Sequence, residues 1–448
     1  MIHNFLLISH DILKIIVKMK YTFLTTCCCT IILLFSLCNG KKEKSDSMIS
    51  IDIEANVKNM QQINLSQFTE SIRYVPLETY DYLTFNTWSL ECNFTDSLIL
   101  ANDLSNCLLY DYKGKFISKI GNQGRGPGEY LYVSNVGFGL QKKINMQSQN
   151  DLLEYRLDGS FINKYKDCFI SNDHYFYSWR PLDDSLFFGL VTNNTGPKEY
   201  KALIVDKQRN VKYSFNRYLS DKRKKLNYQE EIHARVFQFE KKIFFKEIYN
   251  DTLFYLTDQF ELTPIYYFNF GKFSEPITER GKNVVGGMFM YYVFQTADYL
   301  FLDCHFGNQF PAKRLTPLTL SGDIPDWMKS MLSGAPPNWY NTKSALGIFN
   351  KQTRELVFCK PTSTDNFLYT SGLYNDIDAG PRFFPNEMVN DSTMVMWINV
   401  KQLKDHVASD DFKNNIPKYP KKKKELEELA NSLSVFDNVV LMFVTFKK

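Results

Sequence analysis

The sequence predicts an all-β chain: a six-bladed β-propeller with four-stranded blades, a ring closed by N- and C-terminal strands, and short C-terminal helices. Three observations predict it. A strand–turn–strand unit recurs about every 45–50 residues, the spacing of four-stranded propeller blades. The 448-residue chain holds 37 Phe and 27 Tyr, an aromatic excess suited to pleated, half-buried surfaces. A strand-like run also stands near each end, so a last blade built from both termini leaves no open sheet edge.

The repeat reads directly off the residues. "LLYDYKGKFISKIG" at 108–121, "LLEYRLDGSFINKYK" at 152–166, "LIVDKQRNVKYSF" at 203–215, "LFYLTDQFELTPIYYF" at 253–268 and "LGIFNKQTRELVFCK" at 346–360 each run strand, polar turn, strand. Their turns centre near Gly114, Gly159, Gln208, Asp258 and Lys351. Asp158-Gly159 is a hairpin pair that tolerates positive φ at both central positions. The last gap spans two periods, so an unmarked blade is expected around "FMYYVFQTADYLFLDCHF" at 289–306, ahead of a Pro-rich insertion near 311–340. The terminal runs are "MISIDIEA" at 48–55 and "DNVVLMFVTF" at 437–446. Before the second, "YPKKKKELEELANSL" predicts a helix with Pro420 in its first turn and Leu426, Leu429 and Leu433 on one face.

The N-terminus is a targeting segment. Met19–Ser47 has a short basic start, an apolar run from Phe23 to Leu37, Cys38 and a polar tether. It resembles a bacterial lipoprotein signal, in which acyl chains on the cysteine replace the cleaved apolar segment as the membrane anchor. Leu37 departs from that pattern, which favours a small residue before the cysteine. A retained membrane helix and a plain secretory peptide are the competing readings. Residues 1–18 read as an upstream misassigned start. The expected organisation is a signal over 1–38 with lipidated Cys38, a tether over 39–47 and a propeller over 48–448.

"LYDYKGKFISKIGNQGRGPGEY" and "NDIDAGPRFFPNE" (375–387) together resemble the hallmarks of six-bladed β-propeller lipoproteins of gut-type Gram-negative bacteria. That family is of unknown function and related to NHL-repeat propellers. The family shows two glycines before the second motif's proline, where this chain has Ala379 and Gly380. The resemblance implies the propeller, lipidation and export to the cell envelope, as an outer-membrane lipoprotein on the periplasmic side or at the surface. It carries no established reaction.

Composition narrows the function classes. Hydrophobic residues at 44% and charged residues at 23% exclude a disordered chain. A net charge of +4, about +2 beyond the signal, is too balanced for nucleic acid. Past Cys38 the cysteines are Cys92, Cys107, Cys168, Cys304 and Cys359. This set has neither zinc spacing nor a disulfide framework, and leaves a Cys92–Cys107 pair or free buried thiols. The six histidines form no metal-binding pair, and no nucleophile elbow is present.

"GNQGRGPGEY" at 121–130 is not a phosphate loop, since it lacks the Lys-Ser/Thr ending and runs into a strand instead of a helix. Its glycines suit a chain crossing from one blade to the next, and Arg125 and Glu129 are its candidate ligand-binding side chains. In the second motif, Asn375, Asp376 and Asp378 offer oxygens to a hard cation but fall short of six to eight ligands, and turn capping is the simpler reading. Asp376, Asp378 and Arg382 complete the candidate site. The aromatic runs at 174–179 and 288–294 suit packing between blades or stacking on sugar. Lys421–Lys424 suits a solvated helix start or an anionic lipid surface. No catalytic set, metal or cofactor is predicted. The expected function is a membrane-anchored module that binds a glycan, peptide or protein without turning it over. The alternative is a hydrolase or lyase with its site in the central channel.

Overall fold

The computed structural model describes residues 48–447 apart from 88, 172–173, 192–198, 217–233, 248–249, 275–287, 307–343 and 361–371. Six sheets form six blades. Blade 1 has strands Glu91–Phe94, Leu98–Asn102, Cys107–Asp111 and Phe116–Lys119 from centre to rim. Blade 2 follows with Asn135–Gly139, Lys143–Ser148, Asp151–Arg156 and Phe161–Tyr165, and blade 3 with His174–Pro181, Leu186–Val191, Tyr200–Asp206 and Val211–Asn216. Blade 4 is Ala234–Phe239, Lys242–Glu247, Thr252–Leu256 and Leu262–Asn269. Blade 5 is Phe289–Gln295, Tyr299–His305, Ser344–Asn350 and Leu356–Cys359. Blade 6 is Glu387–Asn390, Thr393–Ile398 and Val440–Phe446, with Thr69–Pro76 outermost. Each innermost strand touches the next around the ring.

All five predicted turns are hairpins joining the third and fourth strands of blades 1 to 5. Two expectations need correction. The run at 289–306 is not a blade of its own. It forms the first two strands of the blade whose outer hairpin is at Lys351, and the predicted insertion, between its second and third strands, lies outside the described residues. The closing strand is Thr69–Pro76, not 48–55: it pairs antiparallel with Val440–Phe446. Ile49–Asp52 instead adds a fifth, parallel strand to the rim of blade 4, opposite Tyr266–Asn269. Helix α1 (Ile53–Asn56) then leads to Met60–Gln61, which does the same for blade 5. The N-terminal segment is thus a belt over the rims of three consecutive blades, and it covers edges that are otherwise open to strand addition.

The core lies between blades, in clusters such as Leu100, Ile120, Val136, Ile144 and Tyr155 between blades 1 and 2. Phe176 and Trp179 of the 174–179 run pack into such a core, between blades 2 and 3. Trp179 stacks on Phe169 at 5.0 Å and donates its Nε1–H to Gln147 Oε1 at 2.8 Å. All five described cysteines are free and buried. Cys92 faces the blade 6–1 core and Cys107 the blade 1–2 core, opposite faces of one sheet, so these two cannot pair. Helices α2 (Val400–Ala408), α3 (Asp410–Asn414) and α4 (Pro420–Ser432) interrupt blade 6. Pro420 begins α4, and Leu426 is buried while Leu429 and Leu433 pack against the same core. Lys421 and Lys424 pair with Glu425 and Glu428. Lys423 turns inward and donates to the Asn415 carbonyl at 2.7 Å.

Candidate functional site

The innermost strands touch one another around the axis, and some of their polar side chains come together there. Glu91 of blade 1, Arg180 of blade 3, Arg235 of blade 4 and Tyr292 of blade 5 all feel the charge of Glu387 of blade 6, and Glu91 and Arg235 act on one another. Five different blades bring them together only at the central channel. Blade 2 contributes Gly137, where an added Cβ would meet nothing within 4 Å.

Arg235 holds the centre of this group. Its guanidinium donates to the Asn386 carbonyl at 2.9 Å and to the Glu387 carboxylate, and lies 4.3 Å from the centre of the Tyr292 ring. It thereby reaches past blade 5 and ties blade 4 to blade 6. Burial works against its charge, but Glu387, Tyr292 and Glu91 outweigh burial and hold it above the usual arginine range. Arg180 is different. Burial lowers its proton affinity despite Glu387 and Glu91, and its side chain donates to the Trp179 carbonyl at 3.1 Å. Glu91 keeps access to water, yet the protein wall around it raises its carboxyl, as does Glu387, against the pull of Arg180 and Arg235. Among the described residues neither Arg180 nor Glu91 makes an ion pair.

A second polar layer lies behind the wall. Asn102, Asn145, Lys246 and Asp303 are buried on second strands, directly opposite Glu91, Gly137, Arg235 and Tyr292. Among the described residues the Oδ1 atoms of Asn102, Asn145 and Asp303 have no hydrogen-bond partner, and a lone buried acceptor is costly. Burial pushes the Asp303 carboxyl up to about 7, with Arg235 opposing. A carboxyl raised in the folded state holds its proton more tightly there than in the unfolded chain, so stability falls as pH climbs from about 4 to about 7. Asp303→Asn removes this part of the slope. The variant is expected to melt with wild type near pH 4 and above it at pH 8; lower stability at pH 8 would contradict the assignment.

The sequence-predicted residues lie elsewhere. Antiparallel alternation puts 121–130 and 375–387 on the same face of the disc, since both join a rim strand to the next blade's inner strand. They are bound up in separate tasks. Glu129 accepts the Gly126 N–H at 2.7 Å, and Gly124 has no room for a Cβ beside that carboxylate. Gly121 and Gly128 have φ of 65° and 74°, which only glycine adopts freely. Arg125 is exposed. Asp376 accepts from Ser66 Oγ at 2.6 Å and pairs with Lys418 at 3.2 Å, tying the belt to the helical insertion. Asp378 is buried against Tyr74 and Asn375 and caps the Gly380 N–H. Arg382 lies 5.1 Å over the Tyr374 ring. Ala379 keeps the glycine-like turn at φ 60°, a strain of roughly 1 kcal/mol for a residue with a Cβ. Its carbonyl accepts from His406 Nε2, which burial keeps neutral, at 2.8 Å. Among the described residues no three His, Cys, Asp or Glu side chains are placed to hold a metal ion, and no helix is long and apolar enough to cross a membrane.

Sequence reasoning named the central channel but missed the residues that line it. The available signal was a polar residue inside the apolar second strands of four blades: "LILAN", "KINM", "KIFFKE" and "LFLDC".

The ring and its charged centre define a six-bladed β-propeller with a polar channel. The chain belongs to the family described as a domain of unknown function, DUF4934, whose model matches residues 48–445. No curated protein matches it. Among solved structures it is similar in fold to a Bacteroides fragilis protein described as exported, at 17% identity and TM-score 0.61, covering 90% of this chain and 100% of that one. A DUF4221 family member from Bacteroides vulgatus matches at 12% identity and TM-score 0.44, covering 85% of this chain and 97% of that one.

Proposed function

We propose that this protein is an exported propeller, anchored to the outer membrane through lipidated Cys38, that binds a peptide or glycan in its central channel without turning it over. The observation that carries the reading is the convergence of Glu91, Arg180, Arg235, Tyr292 and Glu387 from five blades, with two of the four charges unpaired. Arg180 is half-buried and desolvated by the channel wall without an ion-pair partner among the described residues, a costly state for a charge, and a ligand that pairs it explains its presence. Export is supported by the N-terminal signal and by the description of the Bacteroides fragilis protein as exported.

A glycan and peptide binding screen tests it. Arg180→Ala is expected to weaken binding about tenfold or more, the worth of a charged hydrogen bond, while Arg125→Ala leaves it unchanged. The opposite pattern moves the site to the 121–130 loop. A ligand consumed during the screen makes the protein a hydrolase or lyase. Mass spectrometry of the mature N-terminus tests the anchor, and an unlipidated start elsewhere removes it.

A further inference from the structure

Resting on the channel reading, we infer that the ligand is zwitterionic: an amino acid or short unblocked peptide whose ammonium meets Glu91 and whose carboxylate meets Arg180. Of the four charged side chains described in the channel, Arg235 and Glu387 neutralise each other. The two left over have opposite signs and stand on blades 1 and 3, the neighbours of blade 2 on either side. Between them blade 2 presents Gly137, with open space where a side chain would stand. The anion and the cation feel each other without touching, so the gap between them has an acidic end, a basic end and a floor of bare backbone.

Directly opposite Gly137, on the next strand and the same sheet face, is Asn145, 5% exposed, with its Oδ1 lacking any donor among the described residues. Its amide lies against Gly139 behind the wall, where it keeps the floor polar without meeting the ligand. A neutral sugar offers no charge to either end, and a simple anion would satisfy Arg180 while facing Glu91. Only a ligand with separated opposite charges pairs both ends at once, and charge-assisted hydrogen bonds are the strong ones.

The test is calorimetry on the detergent-solubilised full chain with a mixture of unblocked dipeptides, the same mixture N-acetylated or C-amidated, and a neutral oligosaccharide mixture. The unblocked dipeptides are expected to bind, and either block to weaken binding at least tenfold. Glu91→Gln should erase the effect of acetylation and keep that of amidation; Arg180→Gln should do the reverse. Blocked dipeptides binding as well as unblocked ones, or no dipeptide binding, overturns the inference. Gly137→Leu separates its failure from that of the channel reading. Oligosaccharide binding lost in Gly137→Leu keeps the channel and discards the zwitterion, whereas any binding that survives in a folded Gly137→Leu discards the channel.

Discussion

Arg235→Ala is expected to cost about 3 kcal/mol of global stability, the lower range for breaking a buried ion pair by removing one partner. Three contacts go together: the pair with Glu387, the hydrogen bond to the Asn386 carbonyl and the face of Tyr292. The substitution leaves Glu387, 14% exposed, as an uncompensated charge in the channel wall. The pair joins blade 4 to blade 6 across the axis, so the loss falls on the whole ring. In urea unfolding the midpoint should drop while the slope stays as in wild type. The double variant Arg235→Met with Glu387→Leu should recover most of the loss, because replacing both charges by apolar groups removes the desolvation cost with the attraction. A single-variant loss below about 1 kcal/mol would mean that channel water screens the pair as it screens surface pairs.

The sequence showed what local hydrogen bonding controls. The outer hairpins were legible because their turn residues, such as Asp158-Gly159 and Asp111 to Gly114, sit within five residues of the contacts they make. The closing strand was not legible. "ISID" and "ESIRYVP" alternate alike, and what separates them is a partner far along the chain: Tyr266–Asn269 for one and Val440–Phe446 for the other. The 311–340 insertion hid the fifth blade by separating its second strand from its third. The channel was the least legible part. Glu91, Arg180 and Arg235 are ordinary charged residues in their own strands, and they become a group only when a sixfold ring turns each inner strand toward one axis. The glycine-rich loop drew the eye for a local reason, its φ values, and those serve the turn itself.

Gly114→Ala is expected to cost at least about 3 kcal/mol, more than the roughly 1–2 kcal/mol that a left-handed conformation imposes on alanine. Gly114 has φ 82°, and its added Cβ would stand 2.1 Å from the carbonyl oxygen of Pro76. That atom is backbone, at the end of the closing strand of blade 6, and it cannot swing aside as a side chain does. Gly159 repeats the arrangement one blade on, with φ 84° and a Cβ 2.1 Å from the Lys119 carbonyl at the end of blade 1. In both cases a hairpin is wedged against the last strand of the preceding blade, and the glycine sets how closely the two blades approach. Gly137→Ala is the control: the same atom added in open space should change stability by about 0.5 kcal/mol or less. Comparing Gly114→Ala with Gly159→Ala then isolates the seam. The first opens the joint sealed by the N-terminal strand, and the second a joint within continuous chain. Equal losses with unchanged urea slopes mean that closure holds as firmly as any other joint. A larger loss at Gly114, with a shallower slope, means that blade 6 parts first.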